Sequence, residues 1–225
     1  MKAFPRWHYE FDLRGIRTPI FDPAHRNRHE QRRRYFFDPV VEDFDGRRVL
    51  DLGCNAGWWS LLAVEAGCDY VLGLDGRAMH TEQAELVFEA SGVATDRYDF
   101  VTADVFEFDA RDRFDVVLCL GLLYHVAKPV ELFERMAAWT RSLLIVDTHL
   151  SRAPGSTLEL RREDLPEDPR AAVGTPLVTW PTREAVLMLA RVHGFTVETP
   201  IPRFTDWTGC EDYRDGDRLA FICRH

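Results

Sequence analysis

Three aspartates, Asp51, Asp75 and Asp104, each close a short apolar run in the first half of the chain. Asp51 opens the turn Asp51-Leu52-Gly53-Cys54-Asn55-Ala56-Gly57, where Gly53 and Gly57 let the backbone turn tightly and approach a ligand with no Cβ in the way. A carboxylate at the mouth of such a turn suits a cation, whereas a pyrophosphate site favours free backbone N–H groups and positive charge. Asp75 leads into Gly76 and Arg77, and a short carboxylate there accepts hydrogen bonds from the two hydroxyls of a ribose. Asp104 is followed by Val105, an arrangement that accepts from an exocyclic amino group while the valine packs on the ring. Any one of these residues taken singly reads as a turn-forming Asp. Three at three consecutive run ends read as a nucleoside site with a cationic end.

A second set follows the run that ends at Leu120. His125 comes just after Gly121, and a histidine titrates near neutrality, which suits a general base. The competing reading is a histidine that caps the next helix or only shapes a pocket. Trp7, His8, Tyr9, Trp58, Trp59, Trp180, Trp207 and Tyr213 bracket these segments in sequence. Part of this group is core packing, and Trp59 is the one assigned to grip a flat or sugar-like acceptor. The stretch HRNRHEQRRR (25–34) packs five arginines and two histidines together. It reads either as a solvated helix face or as an anion site for a phosphate or carboxylate on the acceptor.

These residues need a frame, and the hydrophobic pattern supplies one. Short apolar runs at 48–52, 70–74, 99–103, 114–120 and 142–147 read as buried strands. Helical periodicity at 58–66, 78–90 and 130–139 falls between them, with Gly67 and Ser91-Gly92 as stops. Strands alternating with such helices predict right-handed crossovers and a parallel sheet. The polar stretch 151–179, with four prolines, reads as a lid-like insertion. A helix at 182–193 and strands at 195–201 and 219–223 follow, the strands separated by the loop 203–217. The whole predicts one α/β domain over 1–225, with a cap segment at 1–44 and an insertion at 151–180.

Composition excludes several classes. The apolar and charged fractions, 46% and 29%, are those of an ordinary globular chain. A net charge of −9 argues against a general nucleic-acid binder. Five scattered cysteines form no CxxC pair, and no His/Asp cluster has metal-ligand spacing, so no metal is expected. No run is long enough for a membrane span, and the N-terminus lacks signal-peptide features, so the expectation is a cytoplasmic protein with no membrane partner.

VLDLGCNAG (49–57), VLGLD (71–75), VTADV (101–105) and FDVVLCLGLLYHV (114–126) together resemble the four motifs of the class I S-adenosylmethionine (SAM) dependent methyltransferases. Asn55 stands where a third glycine is common. The resemblance implies a Rossmann-like, seven-stranded, mostly parallel sheet with the last strand antiparallel and helices on both faces. It implies SAM as cofactor, with Asp51, Gly53, Asn55 and Gly57 near the methionine part. Asp75, Gly76 and Arg77 would lie at the ribose, Asp104 and Val105 at the adenine, and Leu120 at the methionine end. CLGLLYHVAKPVELF (119–133) also resembles the bacterial tRNA wobble-uridine carboxymethyltransferases. In that group residues matching Tyr124 and Arg218 contact the extra carboxylate of carboxy-SAM. Their N-terminal lysine has no counterpart near the motifs, Lys2 being far from them, and their basic RNA-binding extension is missing. The expected reaction is methyl transfer to an oxygen, or next a nitrogen, of a small molecule. Modification of a tRNA base is the alternative, and a non-catalytic SAM-binding protein is the third reading. The oligomeric state stays open.

Overall fold

The structure is a computed structural model that describes residue 4 and residues 6–20, 22–163 and 172–225. Lys2 and residues 164–171 of the expected insertion lie outside the described residues. The chain divides into two compact units, 1–108 with 203–211, and 109–202 with 212–225.

The first unit opens with a two-residue hairpin, β1 (Asp12–Leu13) and β2 (Ile16–Arg17). Helix α1 (Ala24–Arg32) then runs into a π-helical turn at Arg33–Phe37 and a 3-10 segment at Asp38–Phe44. Tyr35, Phe36, Phe37, Val40 and Phe44 are buried, so this cap is held by aromatic packing. Strand β3 (Arg48–Leu52), helix α2 (Trp58–Glu65), strand β4 (Tyr70–Asp75), helix α3 (Ala78–Ser91) and strand β5 (Tyr98–Thr102) follow. β4 pairs in parallel with both β3 and β5. Val49, Leu50, Leu52, Val71 and Leu74 are all buried, as expected of parallel strands covered on both faces. β5 ends at Thr102, so Asp104 lies beyond the strand.

The second unit holds β6 (Phe114–Leu120), a 3-10 turn at Leu123–His125, α4 (Pro129–Trp139) and the long strand β7 (Thr140–His149). Pro129 takes the first helical position of α4, where its missing N–H has no partner to lose. The stretch expected as a lid contains an antiparallel hairpin, β8 (Leu158–Arg162) and β9 (Leu177–Pro181). Helix α5 (Arg183–Val192) is capped by Thr182, whose hydroxyl accepts from the Ala185 amide at 3.2 Å. β10 (Thr196–Glu198) is shorter than the expected 195–201, since Pro200 has no N–H to give a ladder. A single helical turn, α6 (Glu211–Arg214), breaks the expected loop before β11 (Arg218–Arg224). β7 pairs in parallel with β6 and antiparallel with β11, and β11 pairs antiparallel with β10. The three strands of the first unit and four of the second make the seven-stranded, mostly parallel sheet expected, with the last strand antiparallel to its neighbours. Among the described residues, no helix is long and apolar enough to cross a membrane.

Candidate active site

In the first unit the site is built around the turn between β3 and α2. Gly53, Asn55 and Gly57 all take positive φ, at 70°, 50° and 76°. At Gly57 a Cβ would sit 3.1 Å from Ala84 and 3.3 Å from Phe88 and Phe100, so the turn can press on α3 and β5 only without a side chain. Asn55, in place of a third glycine, tolerates the left-handed conformation by hydrogen-bonding locally. Its side-chain oxygen accepts from the Ala56 amide at 2.8 Å, and its own amide donates to Asp75 Oδ2 at 3.0 Å.

Asp75 therefore holds the turn as well as facing it. Its Oδ1 accepts from the Arg77 amide at 3.0 Å and lies 3.1 Å from His80 Nδ1. His80 Nε2 lies 3.4 Å from Asn55 Nδ2, which closes a ring of contacts. A carboxylate offers about four acceptor sites, and three of these are taken by Asn55, Arg77 and His80. The ribose hydroxyls expected at Asp75 would therefore share its carboxylate with these protein contacts. Gly76 is exposed between Asp75 and Arg77.

Asp51 is 1% exposed and accepts from the Ser60 hydroxyl at 2.6 Å. Burial pushes its carboxyl up to about 7; the Ser60 hydrogen bond opposes this and the nearby Asp75 charge adds to it. A buried acid whose partner is a neutral hydroxyl fits a ligand that brings a cation, as SAM does with its ammonium and sulfonium groups. Asp104 is exposed, and its Oδ1 accepts from the Phe106 amide at 2.9 Å, so it also shapes its own turn; Val105 beside it is half-buried.

Two expectations about the cap change. Trp59 is 2% exposed and packs on Phe36 and Phe37 at 5.1 and 5.9 Å between centroids, with the Arg32 guanidinium 5.1 Å from its ring. It is a core residue that fixes α2 to the cap, and the acceptor role assigned to it is withdrawn. Trp58 stacks on Tyr9 at 5.4 Å and 3°. The arginines of 25–34 are engaged one by one. Arg26 pairs with Glu10, Arg28 donates to the Gly209 carbonyl at 2.6 Å, and Arg32 is buried over Phe36 and Trp59. Arg33 pairs with Asp38 at 3.1 Å and Arg34 with Glu30 at 2.9 Å. Such spent charges make a poor anion site.

In the second unit, Leu120 is buried at the end of β6 and Gly121 follows with φ of 114°. A Cβ on Gly121 would lie 3.3 Å from Arg218 Nη2, so the glycine admits that guanidinium. Arg218 donates to Asp147 Oδ2 through Nε at 2.9 Å and Nη2 at 2.6 Å, and through Nη1 to the Tyr124 hydroxyl at 3.3 Å. Tyr213 donates to the other Asp147 oxygen at 2.7 Å. Asp147, Arg218 and Tyr213 are all buried. Burial alone would pull the Arg218 pKa down, but Asp147, Tyr213 and Tyr124 outweigh it and hold the guanidinium charged.

His125 Nδ1 lies 3.0 Å from Glu163 Oε2, which also accepts from the Ala172 amide at 2.9 Å. Its ring lies 4.1 Å from that of Tyr124. Burial pulls the His125 pKa down, but Tyr124 and Glu163 more than offset this and leave it above the usual 6.5. Lys128, not His125, takes the cap position of α4, so the His125 side chain is committed to Glu163 and not to a helix end. His149 stacks on Trp180 at 5.0 Å and 16°, and its ring lies edge-on to Tyr124 at 4.6 Å.

Ser60, His80, Asp147, His149 and Glu163 were not singled out from sequence. His80 alone had a usable signal, standing one helical turn past Asp75 at the start of α3. The others come from distant segments with ordinary spacing.

Comparison with known proteins adds an independent view. Residues 24–199 match the methyltransferase domain family. The N-terminal domain of EvdMO1, solved in the presence of SAH and D-fucose, is 29% identical; the match covers 97% of this chain and 90% of that one, with a TM-score of 0.69. Magnesium protoporphyrin IX methyltransferase from Synechocystis PCC 6803, with bound SAM, shares the fold at 16% identity and a TM-score of 0.64, over 92% of this chain and 86% of that one. The tRNA U34 carboxymethyltransferase of Idiomarina loihiensis is 25% identical over 183 residues, 79% of this chain and 57% of that protein. The chain thus spans little more than half the length of that relative. With the motif turns in place and a family match over most of its length, the chain belongs to the methyltransferase domain family, and its cofactor is S-adenosylmethionine.

Proposed function

We propose that this protein transfers a methyl group from SAM to a hydroxyl oxygen of a small, sugar-like acceptor, with His125 as general base. The observation that carries the reading is the His125–Glu163 pair at 3.0 Å. An alcohol ionises far above neutrality and needs a proton acceptor as its oxygen attacks, whereas a carboxylate or a neutral amine already has its lone pair ready. SAM supplies an electrophilic methyl carbon whose bond to sulfur breaks as the bond to the acceptor oxygen forms. Glu163 on Nδ1 orients the imidazole and stabilises its protonated form, so Nε2 takes the hydroxyl proton. Asp51 offers the charge for the cofactor's cationic end, and Asp75, backed by His80 and Asn55, offers an acceptor for the ribose. Gly53, Gly57, Gly76, Arg77, Asp104, Val105 and Leu120 complete the proposed cofactor contacts. Tyr124 and Arg218 belong to the acceptor side.

The D-fucose named with EvdMO1 supports a sugar hydroxyl as acceptor. Carboxy-SAM is disfavoured because Arg218 is already neutralised by Asp147, so an added carboxylate would meet a pair with no net charge. The tRNA reading rests on a relative that is much longer than this chain, and it loses support from the net charge of −9 and the engaged arginines.

The test is His125→Ala with turnover followed as SAH release. Turnover is expected to fall about 10²- to 10⁴-fold with SAM affinity nearly intact. A variant with near-normal turnover removes the base. A wild type that binds SAM and methylates no acceptor would leave the non-catalytic reading.

A further inference from the structure

We infer that the cavity beside the His149–Trp180 stack is the acceptor site, and that it takes an uncharged sugar carrying no phosphate or nucleotide. This rests on the hydroxyl-methylating reading above and names the substrate class for it. The cavity is an open cleft with a volume of about 570 Å³, within the range of small-molecule sites. All of its lining residues belong to the second unit.

Its arginines are paired in advance. Arg152 forks onto Asp217, Nε to Oδ1 at 2.5 Å and Nη2 to Oδ2 at 2.8 Å. Arg161 forks onto Glu159, Nε to Oε1 at 3.0 Å and Nη2 to Oε2 at 3.1 Å. Asp212 Oδ2 lies 3.7 Å from His149 Nε2. Two guanidinium groups therefore face three carboxylates in one lining. A phosphate entering here would meet acids and arginines already bonded to acids, so it would lose its hydration with little return. A hydroxyl-rich neutral ring meets the opposite situation. Each carboxylate keeps lone pairs that accept from O–H groups, and each guanidinium has further N–H groups to donate.

The aromatic wall gives the site its direction. Arg161 covers Trp180 from 3.9 Å, leaving the stacked His149 and Trp180 edges as the apolar contact. Those two rings pack on Tyr124 at 4.6 and 6.1 Å, and Tyr124 packs on His125 at 4.1 Å. A sugar held among the ion pairs would lie against the His149 and Trp180 rings, which reach His125 through Tyr124. Tyr124 and His125 stand behind this wall, so the reacting hydroxyl must extend past it to meet Nε2. It follows that methylation comes after the sugar has lost its activating group. The reaction class that supplies this substrate is glycosyl transfer or hydrolysis of a sugar phosphate.

The test uses the SAH-loaded protein and a panel of neutral hexopyranosides and 6-deoxyhexopyranosides, D-fucose included, against their 1-phosphates and bulk tRNA. Saturation-transfer NMR and calorimetry read binding. At least one neutral sugar is expected to bind roughly tenfold or more tightly than its phosphate, and Asp212→Asn and Trp180→Ala are each expected to weaken it by a similar factor. SAH affinity in both variants reports that they fold. Binding of no neutral sugar, tighter binding of the phosphates or of tRNA, or neutral binding untouched by both variants overturns the inference. Methyl transfer to acceptor hydroxyls is read separately. Transfer that persists while the sugars ignore the cavity sinks the cavity and spares the methyltransferase reading; sugar binding with no transfer to any hydroxyl sinks that reading instead.

Discussion

The turn of the first unit and the polar cluster of the second are built on opposite electrostatic plans. Around Asp51 and Asp75 there are two buried carboxylates whose partners are a hydroxyl, backbone amides and the imidazole of His80. Around Arg218 a buried guanidinium is met by the Asp147 carboxylate, with two phenols adding hydrogen bonds. The first arrangement is left short of positive charge until a cationic ligand arrives. The second is balanced within the chain and stands ready as a rigid support. In the proposed reading the first is a binding site by virtue of what it lacks, the other a scaffold by virtue of being complete.

The largest expected break in this contrast is at Arg218. Arg218→Met leaves Asp147 buried with no cation and is expected to cost about 3 to 5 kcal/mol of stability. Adding Asp147→Leu is expected to recover most of that loss, since replacing a whole buried pair by apolar groups is close to neutral. Denaturant unfolding measures both, and a single variant as stable as the wild type would show that the cluster is not a balanced support.

Removing Asp75 acts on the other plan. Asp75→Ala is expected to weaken SAM and SAH alike by about 1 to 3 kcal/mol, because a ribose hydroxyl loses its acceptor and the Asn55 turn loses its anchor. Equal calorimetric affinities in variant and wild type would take Asp75 out of the pocket.

The smallest effect sharpens the contrast through pH. The folded chain holds the Asp51 proton up to about 7, from an ordinary 3.8, so the ligand-free protein loses stability as pH rises between those values. A cation bound beside Asp51 lowers that pKa again. SAM binding near pH 6.5 should therefore release part of a proton, and affinity should fall as pH drops below about 7. Calorimetry in two buffers of different ionisation heat detects the release. It is expected to vanish in Asp51→Asn, and its persistence there would assign it to another group.

The two plans also differ in how far they could be read from sequence. The turn runs from Asp51 to His80, so its parts lie close along the chain and their spacing carries the geometry. What escaped was the acceptor arithmetic at Asp75, because backbone amides leave no mark in a sequence. The second cluster joins Tyr124, Asp147, Tyr213 and Arg218 from four segments. Tyr124 and Arg218 were found only through family likeness, and Asp147 reads as one more strand residue. Trp59 was misread because an aromatic beside a glycine turn looks the same in sequence whether it faces a ligand or, as here, Phe36 and Phe37. Strands 48–52 and 114–120 match their expected limits, since a buried parallel strand is one unbroken apolar run. The hairpin β8–β9 was hidden because its leucines at 158 and 160 face outward while Glu159 and Arg161 are half-buried.

The central claim is that Glu163 makes His125 a base for a hydroxyl acceptor, and the pH dependence of kcat/KM for wild type and Glu163→Gln tests it most directly. His125 must be neutral to act, and its pKa is raised above 6.5, so the wild-type rate should climb with pH through an apparent pKa above that value. In Glu163→Gln the inflection should move down, because the carboxylate that favours the imidazolium is gone, and the plateau should fall because the ring is no longer held charged in the transition state. An inflection and plateau unchanged by Glu163→Gln, or a rate independent of pH from 5 to 9, would contradict the account.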